Sequence, residues 1–189
     1  VDYIPSTHLK IADAKRGDIG NTSSQYAKAF FETLPFDAIT VAPYMGSDSI
    51  QPFLEYEDKW TIVLGLTSNK GAADFELQKM GAEFLYEKVM KTVASWGNPG
   101  NLMFVVGATQ ADSFAAIRQI LPDHFFLVPG VGAQGGSLQD ISAKALIPDA
   151  GLLVNASRAV IYASEKEDFA TEARAIAQQY QVEMSRYLG

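Results

Sequence analysis

The chain contains no cysteine, which removes disulfides and thiolate metal sites from consideration. Histidine is scarce as well. His8 and His124 stand far apart with no metal-ligand spacing around either, and each reads as a structural residue. No apolar run reaches the roughly 20 residues that a membrane helix needs. The N-terminus lacks the charged-then-apolar pattern of a secretory signal, so cytoplasm is the expected compartment and no membrane partner is expected. Positive charge is also short: 15 Lys and Arg against 22 Asp and Glu leave a net charge of −7. That balance argues against nucleic acid as a partner, while a local basic site for an anion stays open. A Walker motif, a GxGxxG after the first strand, HExxH and GxSxG are all missing, which withdraws support from the corresponding nucleotide, zinc and nucleophile-elbow chemistries.

What is present is an alternation of short apolar runs with amphipathic stretches, in 189 residues of which 48% are hydrophobic. Near-continuous apolar runs at Leu9–Asp13, Ala38–Ala42, Trp60–Leu66, Leu102–Ala108, Phe125–Pro129 and Gly151–Asn155 read as parallel strands buried on both faces. Helices are expected over Ser23–Leu34, Ser47–Leu54, Ala73–Ser95, Ala111–Leu121, Leu138–Ala145 and Lys166–Tyr187, with a short one at Ala159–Ala163. Asn21, Thr22 and Ser23 offer N-caps to the first helix, and Tyr26, Ala29, Phe30 and Leu34 give it a core-facing stripe. Repeated β-then-α units imply a parallel sheet with helices outside it. An open doubly wound sheet and a barrel both fit. Polar residues cluster after the strand ends throughout, and this favours a TIM (β/α)8 barrel of class α/β. The expectation is one barrel domain over 1–189, carrying about six of eight βα units and lacking the first two.

Asp13-Ala14-Lys15-Arg16-Gly17-Asp18 crowds two carboxylates and two cations into six residues at a strand end. Residues two apart on a strand share a face, so Asp13 and Lys15 can project together, and Asp18 follows past a glycine. Carboxylates beside a lysine favour its ammonium form, which can deliver a proton to a developing carbanion. Val128-Pro129-Gly130-Val131-Gly132-Ala133-Gln134-Gly135-Gly136 is a glycine-rich loop whose N–H groups can approach an anion. Asn155-Ala156-Ser157-Arg158 follows the last strand and adds a guanidinium, and barrels frequently hold phosphate in this region. Thr67-Ser68-Asn69 offers hydroxyls and an amide to a heterocycle edge. In Pro43–Asp48, Tyr44 and Met45 can line the barrel mouth and Asp48 can cap the next helix.

These segments together resemble the orotidine 5′-phosphate decarboxylase family, over essentially the whole chain and in order. The closer likeness is to a bacterial subgroup with DAKRGDIGNT and VAPYMGSDS segments. The resemblance implies decarboxylation of orotidine 5′-monophosphate to uridine 5′-monophosphate with neither metal nor organic cofactor. It implies that Asp13 and Lys15 belong to the charged catalytic network, with Lys15 protonating C6. It further implies a homodimer, with Asp18, a third catalytic residue, and the substrate-binding Thr22 reaching the neighbouring site. Ser68 matches the pyrimidine-contacting serine, and Gln134 and Arg158 match the phosphate ligands, beside Pro129 and Gly135. A Lys and an Asp that the family draws from its first two βα units have no counterpart in this sequence. Alternative readings are a metal-dependent phosphosugar decarboxylase of the same barrel type, and a non-catalytic barrel that binds a phosphorylated ligand.

Overall fold

The computed structural model describes residues 1–132 and 135–188 and divides into two compact units. The first comprises residues 1–67 and 71–105. Its sheet runs β1 (Ile11–Arg16), β2 (Ala38–Val41), β3 (Trp60–Leu66) and β6 (Leu102–Val106) in that order. β1 pairs with β2, and β2 with β3, in parallel. Every residue of β2 and β6 is buried, as the unbroken apolar runs predict for strands covered on both faces. Helices α1 (Gly20–Lys28), α2 (Ser47–Leu54) and α3 (Leu85–Ala94) follow the first three strands, with a two-residue antiparallel pair, β4 (Lys79–Met80) and β5 (Glu83–Phe84), before α3. Ile39, Ile62, Leu66, Met90, Phe104 and Phe53 are fully buried in this unit. Phe31 meets Phe53 edge-on, with ring centroids 6.3 Å apart.

Two expectations change here. The helix expected over Ala73–Ser95 starts only at Leu85. Upstream, the chain makes a 3-10 turn at Lys70–Asp74 and then the β4–β5 hairpin, which reverses at Gly81 (φ +70°). The first helix begins at Gly20, three residues early, with Ile19 at its N-cap and no side-chain cap. Asn21, Thr22 and Ser23 therefore lie inside its first turns. Its buried face is Ser23, Ala27 and Phe31, while Leu34 is 42% exposed. The buried stripe thus lies about one residue from the expected one, and a π-helical turn at Ala29–Thr33 follows α1. Ser23 belongs to the buried face because its hydroxyl donates to the Ser49 carbonyl at 3.0 Å.

The second unit comprises residues 68–70 and 106–189. A 3-10 turn (Ala108–Ser113) leads into α4 (Phe114–Ile120). β7 (Phe126–Pro129) pairs in parallel with β8 (Leu152–Asn155), joined by α5 (Leu138–Ala145). The Ser137 hydroxyl caps α5 by accepting the Asp140 N–H at 3.2 Å. α6 (Arg158–Ile161) and α7 (Phe169–Ser185) complete the unit. Phe114, Ile117, Phe126 and Ile141 form its core. His124 is buried, and burial pushes its imidazole pKa down; His8 is exposed beside the Thr7 hydroxyl. Among the described residues no helix is long and apolar enough to cross a membrane.

Candidate active site

Asp13 and Lys15 do come together, as an ion pair between Asp13 Oδ1 and Lys15 Nζ that stays open to solvent. The route differs from simple strand alternation. From Ala12 to Arg16 β1 advances four residues, while β2 advances two, from Ile39 to Val41. The surplus forms a bulge, a device that re-aims side chains at strand ends. Within it Lys15 takes φ +46°, a left-handed conformation that is unfavourable for a residue with a Cβ. Strain at this position is maintained by its neighbours: Thr40, fully buried on β2, accepts the Lys15 N–H at 2.9 Å and donates to Asp13 Oδ1 at 3.0 Å. Sequence reading missed Thr40, because a lone threonine in Ala38-Ile39-Thr40-Val41 carries no signal beyond strand propensity.

Asp18 does not join this pair. Its carboxylate accepts the Ile19 N–H at 2.8 Å, and among the described residues no ion pair links it to Lys15. Thr22 is exposed on α1, and Arg16 lies over the Tyr26 ring, 5.6 Å from its centroid. At the end of β3 the Glu76 carboxylate accepts both the Thr67 N–H (2.7 Å) and the Thr67 hydroxyl (2.8 Å), which fixes the start of that loop. Glu76 is a second residue that its sequence neighbourhood did not reveal. It lines an apolar cavity of about 510 Å³ with Pro43, Tyr44, Leu64, Phe75 and Tyr86. Tyr44 is 88% exposed and faces Phe75 at 6.4 Å. Asp48 sits in the first turn of α2 without capping it.

In the second unit, Pro129 and Asn155 are register partners at the ends of β7 and β8. The loop after Pro129 uses left-handed backbone at Gly130, Gly132 and Gly135. At Gly132 the space is also taken: a Cβ there would run into the Tyr180 hydroxyl of α7. The amides expected to face an anion are partly committed elsewhere. Gly132 N–H donates to Gly136 O at 3.1 Å, and Gly135 N–H to Gly132 O at 2.9 Å, so they hold the loop's shape. Gln134 lies outside the described residues. Arg158 opens α6 exposed to solvent, and among the described residues no carboxylate pairs with its guanidinium. Asn155 Oδ1 is buried and meets no donor among the described residues. Ser68 is half-buried; its carbonyl accepts the Thr109 hydroxyl at 3.3 Å, and Gly107 presses against it. Among the described residues no three His, Asp or Glu side chains gather as a metal-binding group.

Parallel strands each leading into a helix, with polar side chains at their carboxyl ends, define an α/β protein of the kind that builds its sites from the loops after its strands. Comparison with known proteins narrows this. Residues 2–176 match the model of the orotidine 5′-phosphate decarboxylase / HUMPS family. An orotidine 5′-phosphate decarboxylase of Flavobacterium johnsoniae is 58% identical over 191 residues, covering 100% of this chain and 70% of the relative. One from Bacteroides fragilis is 55% identical over 192 residues, covering 100% and 70%. Among solved structures, the OMP decarboxylase of Leishmania donovani superposes with a TM-score of 0.85 at 36% identity, covering 99% of this chain and 71% of that one. The chain belongs to the orotidine 5′-phosphate decarboxylase / HUMPS family.

Proposed function

We propose that this chain carries the proton-donating machinery and the phosphate-recognising loops of an orotidine 5′-monophosphate decarboxylase. The activity is the one that its 55–58% identical relatives bear in their names. The observation that carries the mechanism is the Asp13–Lys15 ion pair, raised on a bulge at the end of β1. The C6–carboxylate bond breaks, CO2 leaves, and the electron pair stays at C6 in the ring plane, where the π system delocalises it poorly. A fixed cation beside that carbon lowers the barrier electrostatically. The Lys15 ammonium then gives a proton to C6, yielding uridine 5′-monophosphate, and solvent restores the lost proton. Asp13 orients the ammonium through the ion pair.

Ser68 is assigned to the pyrimidine edge and Gln134 and Arg158 to the phosphate, while Pro129 and Gly135 belong to the substrate-binding loop, whose shape the Gly135 N–H helps hold. Arg158 supports this assignment, since its guanidinium is exposed and without a carboxylate partner among the described residues. Phosphate binding energy can lower the chemical barrier as well as KM. Asp18 and Thr22 are exposed or half-exposed on and before α1, and this supports their assignment to the neighbouring site of a homodimer. Cytoplasm is the proposed location.

The test is turnover of orotidine 5′-monophosphate by the full-length polypeptide and its Lys15→Ala variant, with chelator present. Lys15-dependent, chelator-insensitive turnover is expected. Substantial activity in the variant would remove Lys15 as the proton donor, and loss of activity on chelation would move the reading to a metal-dependent phosphosugar decarboxylase.

A further inference from the structure

Thr40 is the polar residue of an otherwise apolar β2. It is 0% exposed, between Ile39 and Val41, which are equally buried. A buried hydroxyl is costly unless its hydrogen-bonding capacity is used. Here it is used in a closed circuit. The Lys15 N–H donates to Thr40 Oγ1 at 2.9 Å, and the Thr40 hydroxyl donates to Asp13 Oδ1 at 3.0 Å, with the Ala12 carbonyl farther off at 3.5 Å. The same Asp13 Oδ1 accepts the Lys15 ammonium. Backbone and side chain of Lys15 are thereby tied to each other through Thr40 and Asp13.

The circuit explains how the bulge persists. Where β1 carries its surplus residues its register with β2 shifts, and there the Lys15 N–H donates to the Thr40 hydroxyl, which stabilises the left-handed backbone of Lys15. That hydroxyl also fixes which way the Asp13 carboxylate turns. We infer that Thr40 is a positioning residue for proton delivery: it holds Lys15 and Asp13 in register with the reacting carbon without touching substrate.

The inference rests on the decarboxylase reading, so its test includes a readout independent of turnover. In the full-length polypeptide, Thr40→Val keeps the shape and removes the hydroxyl, while Thr40→Ser keeps the hydroxyl. Thr40→Val is expected to lower kcat about ten- to hundredfold, the range for a lost hydrogen bond to a charged group, with KM within about threefold. Thr40→Ser is expected to restore kcat to within about threefold of the parent. Amide exchange at Lys15 is expected to speed up about tenfold or more in Thr40→Val and to stay near the parent rate in Thr40→Ser. A Thr40→Val enzyme with parental kcat and exchange overturns the proposal, as does a Thr40→Ser enzyme as impaired as Thr40→Val. If Thr40→Val does not fold, the Thr40→Ser kcat and exchange decide alone, and a large loss in either overturns the proposal. An inactive parent would instead overturn the decarboxylase reading, while the exchange measurement still decides on Thr40.

Discussion

Gly107 lies directly after β6 in an ordinary extended conformation (φ −67°, ψ 135°), so any residue fits its backbone there. What excludes a side chain is proximity. A Cβ at Gly107 would lie 2.7 Å from both the backbone nitrogen and the Cβ of Ser68, and 2.9 Å from its Cα. Restoring a 3.4 Å contact requires Ser68 to retreat by about 0.7 Å, through its backbone rather than by a side-chain rotation. Gly107→Ala is therefore expected to cost about 1–3 kcal/mol of stability through overpacking. If Ser68 reads the pyrimidine, a shift of that size is expected to lower kcat/KM about ten- to hundredfold. The assay is steady-state decarboxylation by the parent, Gly107→Ala, Ser68→Ala and the double variant, with urea melts alongside. Because Gly107 acts through Ser68, the two losses should be strongly non-additive. A Gly107→Ala enzyme within twofold of the parent, or fully additive losses, would refute the reasoning.

Arg118 offers a stability prediction of another kind. Its guanidinium donates to the carbonyls of His124 (2.7 Å), Ala145 (2.8 and 3.0 Å), Leu121 (2.9 Å) and Gly151 (3.2 Å), and lies 4.0 Å from the Phe126 ring centroid. Burial pushes its pKa down to about 10, which still leaves it cationic at neutral pH. Arg118→Met keeps the stem and strands the carbonyls, and is expected to lower unfolding free energy by about 3–5 kcal/mol; a urea-melt loss below about 1 kcal/mol would count against it. Arg158→Ala is expected to lower kcat/KM for the nucleotide about a hundredfold or more, yet by less than about threefold for a substrate lacking the phosphate. Equal losses on both substrates would withdraw Arg158 from the phosphate site.

Sequence reading reached the boundaries of β3, α2 and α5 to the residue. Each is a segment whose own composition decides it: an apolar run in β3, and in α5 a serine cap ahead of an amphipathic turn. It failed where a neighbour decides. The stretch from 73 to 84 is helix-compatible residue by residue, but Glu76 is drawn to Thr67 and the chain reverses at Gly81. The core stripe of α1 slipped because Ser23, a polar residue, takes a buried position by bonding to Ser49, 26 residues away.

The same division runs through the candidate site. Asp13, Lys15 and Arg158 were legible because charged side chains at strand ends are conspicuous by type. Their supports were not. Thr40 bonds across 25 residues to Lys15 and 27 to Asp13, and Gly107 meets Ser68 across a longer gap still. Even the correct pairing of Asp13 with Lys15 was reached by alternation along a regular strand, whereas the structure obtains it by breaking that regularity. An unstrained strand would have projected both side chains at no cost. The bulge turns Lys15 into a conformation that needs Thr40 to maintain it, so the orientation of the ammonium is set by a buried hydroxyl on the next strand. Chemistry at this strand end is written in the residue types; its aim is written in contacts that only folding creates.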